Sequence, residues 1–85
     1  MSYIEKLFSL KNKVAIVTGS ARGNGRAIAQ GLIDAGAAVI GIDLIDQDLD
    51  CHTIKCDILD FEELSKIVDS IVEEYGKIDI LVNNA

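Results

Sequence analysis

Short continuous apolar runs are the first regular pattern along the chain. Residues 13–18 and 38–43 form two such runs, each rich in β-branched side chains, and they predict strands that are buried on both faces. The runs at 52–57 and 78–83 predict a third and a fourth strand, of which the third has the weaker pattern. The chain is therefore expected to contain a small sheet.

Apolar residues recur at helical spacing between the first two strands. The pattern predicts a helix over residues 24–35, ended by a left-handed cap at Gly36. The residues expected to face the sheet are Ile28, Leu32 and Ala35, with Ala27 and Gly31 beside them to allow close approach. The first strand and this helix thus form a predicted strand–turn–helix unit.

A second helical stripe lies between the third and fourth strands. Asp60 is placed to cap this helix, Glu63 to complete a capping box, and Gly76 to end it. The apolar stripe consists of Phe61, Leu64, Ile67, Val68, Ile71, Val72 and Tyr75. We expect this face of the helix to pack against the sheet.

The order of these elements favours parallel strand pairing with right-handed crossovers. The expected strand order is 3-2-1-4, the first half of a doubly wound α/β sheet. Only eight residues, 44–51, separate the second strand from the third, fewer than a crossover helix needs. Extended, they can reach about 26 Å, so we expect a coil in place of a crossover helix that is missing or very short. One face beside the second and third strands should then be thinly covered.

Length and charge narrow the classes of function. A chain of 85 residues makes one domain at most, and a net charge of −6 disfavours nucleic acid as a partner. No apolar run approaches the roughly 18 residues that suggest a membrane span. Glu5 and Lys6 stand where a secretory signal would be apolar. These observations favour a cytoplasmic protein with no membrane partner.

The two cysteines give little support for metal or disulfide chemistry. Cys51 and Cys56 have four residues between them, and together with His52 they match no common zinc spacing. We interpret them as reduced, partly buried thiols, with a disulfide or a metal site as the alternatives. No metal ligand is predicted.

A glycine-rich turn, TGSARGNG at residues 18–25, joins the first strand to the first helix. The backbone N–H groups of such a turn and the positive end of the helix dipole both favour a phosphate, and glycine lets the backbone approach a pyrophosphate closely. The residues predicted to hold it are Thr18, Gly19, Ser20, Arg22, Gly23, Asn24 and Gly25. The glycine spacing is G-x-x-x-G-x-G, and close packing of the helix on a tight loop is the alternative role.

Asp43 closes the second strand beside this turn. Its carboxylate can accept hydrogen bonds from both ribose hydroxyls of an adenosine, and it would repel a 2′-phosphate. Leu44, and not a basic residue, comes next, which favours NAD over NADP. Arg22 favours NADP instead, because its guanidinium could hold a 2′-phosphate. We expect NAD, with NADP less favoured, and a solvated strand-end carboxylate is the alternative role for Asp43.

Polar residues also close the third and fourth strands. Asp57, followed by Ile58, could accept a hydrogen bond from the amino group of an adenine, while turn or capping chemistry before the second helix is the alternative. The residues at the end of the fourth strand are Asn83, Asn84 and Ala85. An Asn pair there can tie neighbouring backbone and approach a cofactor ribose, with a plain turn as the alternative.

Taken together, TGSARGNG after a strand, Asp43, Asp57 and DILVNNA resemble the short-chain dehydrogenase/reductase family, from about Leu10 onwards. The resemblance implies a Rossmann-like fold, a nicotinamide dinucleotide, and hydride transfer between a small alcohol and a ketone or aldehyde. It also implies that the glycine turn holds the pyrophosphate, Asp43 the ribose and Asp57 the adenine, with residues 83–85 on the cofactor side. Asn24 departs from the family, in which that position is usually apolar.

The catalytic residues of that family have no match here. The family uses a Tyr and a Lys four residues apart, whereas Tyr3 and Tyr75 are followed at that spacing by Leu7 and Asp79. We therefore predict no catalytic residue, and interpret residues 1–85 as the cofactor-binding half of one domain whose catalytic half would lie beyond them.

The outer edge of the fourth strand would be unpaired, which invites self-association, so we expect a homo-oligomer. Two other functions stay open. One is a non-catalytic module that binds a dinucleotide weakly or only self-associates. The other is an adenosine-binding enzyme of a different class, such as a methyltransferase using S-adenosylmethionine.

Overall fold

The part of the chain that the structure describes contains all four predicted strands, together with three helices. The computed structural model describes residues 3–84. Its elements are α1 (Tyr3–Phe8), β1 (Val14–Thr18), α2 (Gly23–Asp34), β2 (Ala38–Asp43), β3 (His52–Lys55), α3 (Phe61–Tyr75) and β4 (Ile80–Asn83). The short helix α1 has no counterpart in the sequence prediction. Ala85, one of the predicted site residues, lies outside the described residues.

The strands form one parallel sheet in the order β3-β2-β1-β4. The predicted fold class, the first half of a Rossmann-like doubly wound sheet, is therefore confirmed. In the register of the sheet, Thr18 at the end of β1 lies beside Ile42 of β2 and Asn83 of β4. The carboxyl ends of the three strands meet at one edge, where ligands bind in open sheets of this type.

β1 lies between two apolar layers, and all five of its residues are buried. Val14 and Ile16 pack on the face covered by α3, whereas Ala15 and Val17 pack on the face covered by α2. A strand covered on both faces has no polar side, and this explains its continuous β-branched sequence.

The face of α2 that contacts the sheet differs in part from the predicted one, although Leu32 packs against the core as expected. Gly25 and Ala29 are its buried residues, while Ile28 is 39% exposed. Ala27 and Gly31, expected to allow close approach, are exposed. The prediction followed the largest apolar side chains. The path of the chain out of the glycine turn instead brings the first turn of the helix closest to the sheet, where only small residues fit.

Both ends of α3 are capped largely as predicted. Oδ1 of Asp60 accepts a hydrogen bond from the amide of Glu63 at 3.2 Å, and Gly76 has φ 83°. The reciprocal half of the capping box is replaced, because the Asp60 amide donates to the carbonyl oxygen of Asp57 at 2.9 Å. Of the predicted stripe, the residues packed against the core are Leu64, Ile67, Ile71 and Tyr75. Phe61 and Val72 are 74% and 43% exposed.

The crossover between β2 and β3 is a coil, as predicted, and it covers the sheet only in part, since three of the four residues of β3 are exposed. Leu49, in the middle of the coil, is only 7% exposed and packs with Ala15, Val17 and Val39. One buried leucine thus fills part of the place that a crossover helix would occupy.

β4 is the edge strand of the sheet on the side of β1 within the described residues. Leu81 of this strand is 67% exposed. The homo-oligomer that such an edge led us to expect stays a prediction. None of the helices among residues 3–84 combines the length and the low polarity that crossing a bilayer requires.

Candidate functional site

Thr18 links the carboxyl ends of β1 and β4. Its Oγ1 accepts a hydrogen bond from the amide of Asn84 at 3.1 Å and lies 3.2 Å from Oδ1 of Asn83, to which it can donate. The side-chain amide of Asn84 reaches the carbonyl oxygen of Gly19 at 3.5 Å. The two asparagines therefore tie the end of β4 to the beginning of the glycine turn, the backbone-tying role predicted for them.

The glycine turn needs glycine for both conformation and space. Gly19 and Gly23 have φ values of 68° and 61°, in the left-handed region that side chains disfavour. A Cβ added at Gly25 would lie 1.9 Å from the carbonyl oxygen of Gly19 and 2.6 Å from Nδ2 of Asn84. The first turn of α2 is thus packed against the strand end more closely than any side chain would allow.

The N-terminus of α2 presents positive potential to this turn. The amides of Gly23, Asn24 and Gly25 precede the first helical hydrogen bond, which runs from the Arg26 amide to the carbonyl oxygen of Arg22 at 3.4 Å. The side chain of Arg22 does not cap α2, and the first turn of α2 contains no acidic residue. Free amides and the helix dipole together favour an anion here.

The carboxylate of Asp43 is fixed against the glycine turn. Its Oδ2 accepts a hydrogen bond from the amide of Ala21 at 3.0 Å, and its Oδ1 accepts one from the amide of Ile45 at 3.3 Å. Each carboxylate oxygen has capacity for a further hydrogen bond. Asp43 is therefore oriented by backbone on both sides and can still accept hydrogen bonds from a ligand.

A cavity of about 70 Å³ lies where the glycine turn meets the ends of β2 and β3. The predicted site residues among those that line it are Gly19, Asp43, Asp57 and Ile58. Sequence reasoning missed the other lining residues, which are Ile42, Leu44 and Cys56. An apolar residue at the end of a buried strand looks like core in a single sequence, and only the register of the sheet shows that it borders a cavity.

Asp57 has a structural role within this cavity wall. Its Oδ1 accepts a hydrogen bond from the amide of Leu59 at 2.9 Å. The turn chemistry given as the alternative role is therefore present. It occupies one carboxylate oxygen and leaves the other as a possible acceptor for a ligand.

The remaining predicted residues of the turn do not all face the cavity. Ser20 is fully buried, and its hydroxyl donates a hydrogen bond to Oε1 of Gln47 at 2.5 Å. Only its backbone could reach a ligand at the turn. Arg22 and Asn24 are exposed, so the polar residue at position 24 does not disturb the core.

Tyr75 lies at the opposite edge of the sheet, near the beginning of β1. Its hydroxyl is 3.1 Å from Nδ1 of His52, and burial raises the pKa of Tyr75. Cys51 and Cys56 are free thiols. Among the residues that the structure describes, His, Cys, Asp and Glu side chains form no group of three that could hold a metal ion.

A glycine turn, a strand-end carboxylate and an Asn pair at one sheet edge agree with the comparison to known families. The family model for short chain dehydrogenases matches residues 13–85. This chain belongs to the short-chain dehydrogenase family. Members of the family are oxidoreductases that use nicotinamide cofactors.

Individual short-chain dehydrogenases resemble the chain over most of its length. It is 40% identical over 91 residues to the 2-dehydro-3-deoxy-D-gluconate 5-dehydrogenase of Pseudoalteromonas atlantica, a match that covers 92% of this chain and 36% of the relative. The ligand-free aldohexose dehydrogenase of Thermoplasma acidophilum superimposes with a TM-score of 0.86 at 42% identity, covering 89% of this chain and 30% of that one.

A third similar protein is the carveol dehydrogenase of Mycobacterium avium, whose structure was solved in complex with NAD. Its TM-score is 0.78 at 33% identity, covering 89% of this chain and 36% of that one. The chain thus spans about a third of the length of the short-chain dehydrogenases it matches.

Proposed function

We propose that this chain contains the dinucleotide-binding half of an NAD-dependent oxidoreductase, which transfers hydride between a small alcohol and a ketone or aldehyde. The observation that carries the proposal is the convergence of the glycine turn and the Asp43 carboxylate on one cavity. Membership of the short-chain dehydrogenase family supports the reaction class. The finer statements, NAD and an alcohol or ketone substrate, are our inference.

The chain's own residues fit a pyrophosphate at the glycine turn. The missing Cβ at Gly25 lets the first turn of α2 pack closely against the carbonyl oxygen of Gly19. The amides of Gly23 and Asn24 are donors without helical acceptors. Arg22 adds a guanidinium at the same end of α2. An anion here would meet hydrogen-bond donors and positive potential together.

Asp43 is the residue we assign to the adenosine ribose. Because the Ala21 and Ile45 amides hold both its oxygens, the carboxylate is oriented before a ligand arrives. Two ribose hydroxyls could donate to it, while a 2′-phosphate would place like charge beside it in a partly buried setting. This is our reason for choosing NAD over NADP, and the NAD bound to the similar carveol dehydrogenase agrees with it.

The adenine ring would lie in the cavity between the ends of β2 and β3. Leu44 and Ile58 provide apolar walls there, and the carboxylate oxygen of Asp57 that is not engaged by Leu59 could accept a hydrogen bond from the adenine amino group. Asn83 and Asn84 would hold the turn in place at the other end of the site.

A bound nicotinamide ring supplies the hydride acceptor or donor in this chemistry. The residues described here bind and orient the cofactor, and we assign none of them as the proton donor or acceptor. Tyr75 is excluded from that role, because it lies at the other edge of the sheet.

Isothermal titration of the chain with NAD, NADP and S-adenosylmethionine tests the proposal. We expect NAD to bind most tightly, NADP more weakly and S-adenosylmethionine not at all. Tighter binding of NADP would refute the choice of cofactor. A preference for S-adenosylmethionine over both would refute the oxidoreductase assignment, since that ligand has no pyrophosphate for the glycine turn.

A further inference from the structure

Gln47 makes the most specific polar contacts of the coil between β2 and β3. Its side-chain amide is half-buried and acts in two directions: Oε1 accepts the hydroxyl hydrogen of Ser20 at 2.5 Å, and Nε2 donates to the carbonyl oxygen of Gly41 at 3.0 Å. The coil is thereby joined both to the glycine turn and to the middle of β2.

The space around Gln47 is built for this contact. Ser20 is fully buried, so its hydroxyl has no water to replace a lost partner. Gly41 has no side chain where a Cβ would lie 2.6 Å from Oγ of Ser20 and 2.8 Å from Oε1 of Gln47. A glycine in the middle of a buried strand, where it weakens the strand, is accounted for by the Ser20–Gln47 pair above it.

We propose that Gln47 is a positioning residue for the cofactor site, acting through Ser20 on the glycine turn. The inference rests on the proposed function. Ser20 lies between Gly19, whose φ is 68°, and Ala21, whose amide donates to Asp43. By fixing Ser20, Gln47 fixes the direction of the neighbouring amides and the distance between the turn and Asp43.

A neighbouring ion pair supports the same geometry. Asp48, next to Gln47 in the coil, pairs with Arg26 in the first turn of α2. The coil therefore contacts the turn on its buried side through Gln47 and the helix on its exposed side through Asp48. The Asp48 side chain is 82% exposed and the Arg26 side chain 41% exposed. Ion pairs near the surface stabilise little, so the half-buried amide of Gln47 is the contact that determines the turn geometry.

The test measures NAD affinity by calorimetry at a temperature well below the unfolding transition of each variant. Gln47→Met keeps the length of the side chain and removes both hydrogen bonds, and we expect it to weaken NAD binding about tenfold, as for a loss of roughly one buried hydrogen bond. The matched control is Gln30→Met on the exposed face of α2, where the amide donates only to Asp34 at 2.9 Å. It should bind NAD like the wild type.

A double-mutant cycle separates positioning from general destabilisation. If Gln47 acts through Ser20, the effects of Ser20→Ala and Gln47→Met should not add. The variant that carries both changes should then bind NAD with about the affinity of whichever single variant binds NAD less tightly. Effects that simply multiply would overturn the proposal. So would a Gln47→Met variant that melts earlier yet binds NAD with unchanged affinity.

Gly41→Ala provides an independent variant if Gln47→Met does not fold. Its methyl group would crowd the Ser20–Gln47 pair while leaving both polar groups in the chain, so NAD binding should again weaken several-fold. Wild-type affinity in Gly41→Ala would contradict the proposal. If the wild type itself does not bind NAD, the proposed function fails, whereas normal wild-type binding with unaffected variants removes only the role of Gln47.

Discussion

The carbonyl oxygen of Gly19 lies so near Gly25 that a methyl group at position 25 would be 1.9 Å away from it. The contact joins the first residue of the turn after β1 to the first turn of α2. It fixes the angle at which the helix leaves the sheet, and with it the direction of the amides at the helix N-terminus.

We therefore expect Gly25→Ala to destabilise the chain by about 1–3 kcal/mol through overpacking, and to abolish measurable NAD binding. The matched control is Gly31→Ala in the same helix. An added Cβ there meets nothing within 4 Å, so the change should stabilise the helix by roughly 0.5–1 kcal/mol. Urea unfolding and NAD titration of both variants measure this. If Gly25→Ala and Gly31→Ala had equal free energies of unfolding, the turn would be relaxing freely to accommodate the added methyl group.

The carboxylate of Asp43 leads to a second prediction, about dinucleotide binding. Asp43→Ala removes the acceptor for the ribose, and NAD affinity should fall by roughly 1.5–3 kcal/mol for each charged hydrogen bond lost. Discrimination against NADP should shrink as well, because the repelling carboxylate is gone. Titration with both dinucleotides measures the two effects. Asp50→Ala removes one negative charge from the exposed coil and therefore controls for the change in net charge. If Asp50→Ala weakened NAD binding as much as Asp43→Ala, Asp43 would have no special role.

The sheet could be predicted from the sequence because its signals are local. A backbone conformation is favoured locally, without contacts to distant residues, by the β-branched runs of β1 and β2, by the cap residue Asp60 and by Gly76. The short connection at 44–51 excluded a helix by its length alone. Strand order then followed from handedness.

The remaining features depend on contacts between distant residues. Leu49 in the coil looks solvent-facing by composition, with Asp48 and Asp50 on either side, yet it is buried. The face of α2 was mispredicted in part because close packing selected Gly25 and Ala29, whose small size gives only a weak hydrophobic signal. Gln47 could not be found at all, since its importance arises from the buried hydroxyl of Ser20, 27 positions away along the chain.

Asp79 predicts a pH dependence of stability. Its Oδ2 accepts a hydrogen bond from the Val14 amide at 2.8 Å and lies 3.1 Å from the ammonium of Lys77. These contacts lower the pKa of Asp79 below the ordinary 3.8. Because the folded pKa is the lower one, the contribution is fully present above the unfolded pKa and is lost as pH falls through the folded pKa.

Unfolding free energies measured between neutral and strongly acidic pH should show this loss. Asp79→Asn should be less stable than the wild type at neutral pH, and the difference should shrink towards acidic pH. NAD affinity should be unchanged, because Asp79 lies at the opposite end of β1 from the glycine turn. Asp69→Asn, an exposed change on α3, controls for the removal of one charge. A constant difference between Asp79→Asn and wild type across pH would rule out the mechanism.

Leu49 gives a prediction about the coil that replaces the crossover helix. Leu49→Ala should destabilise the chain by about 2–5 kcal/mol, because it empties a buried space between β1, β2 and α2. Leu59→Ala is the matched control, since Leu59 is 76% exposed, and it should change stability by no more than about 0.5 kcal/mol. The midpoints of urea unfolding of the two variants measure this difference in stability. If both changed little, the coil would be packed only loosely on the sheet, and the fixed positions of Gln47 and Asp43 would need another cause.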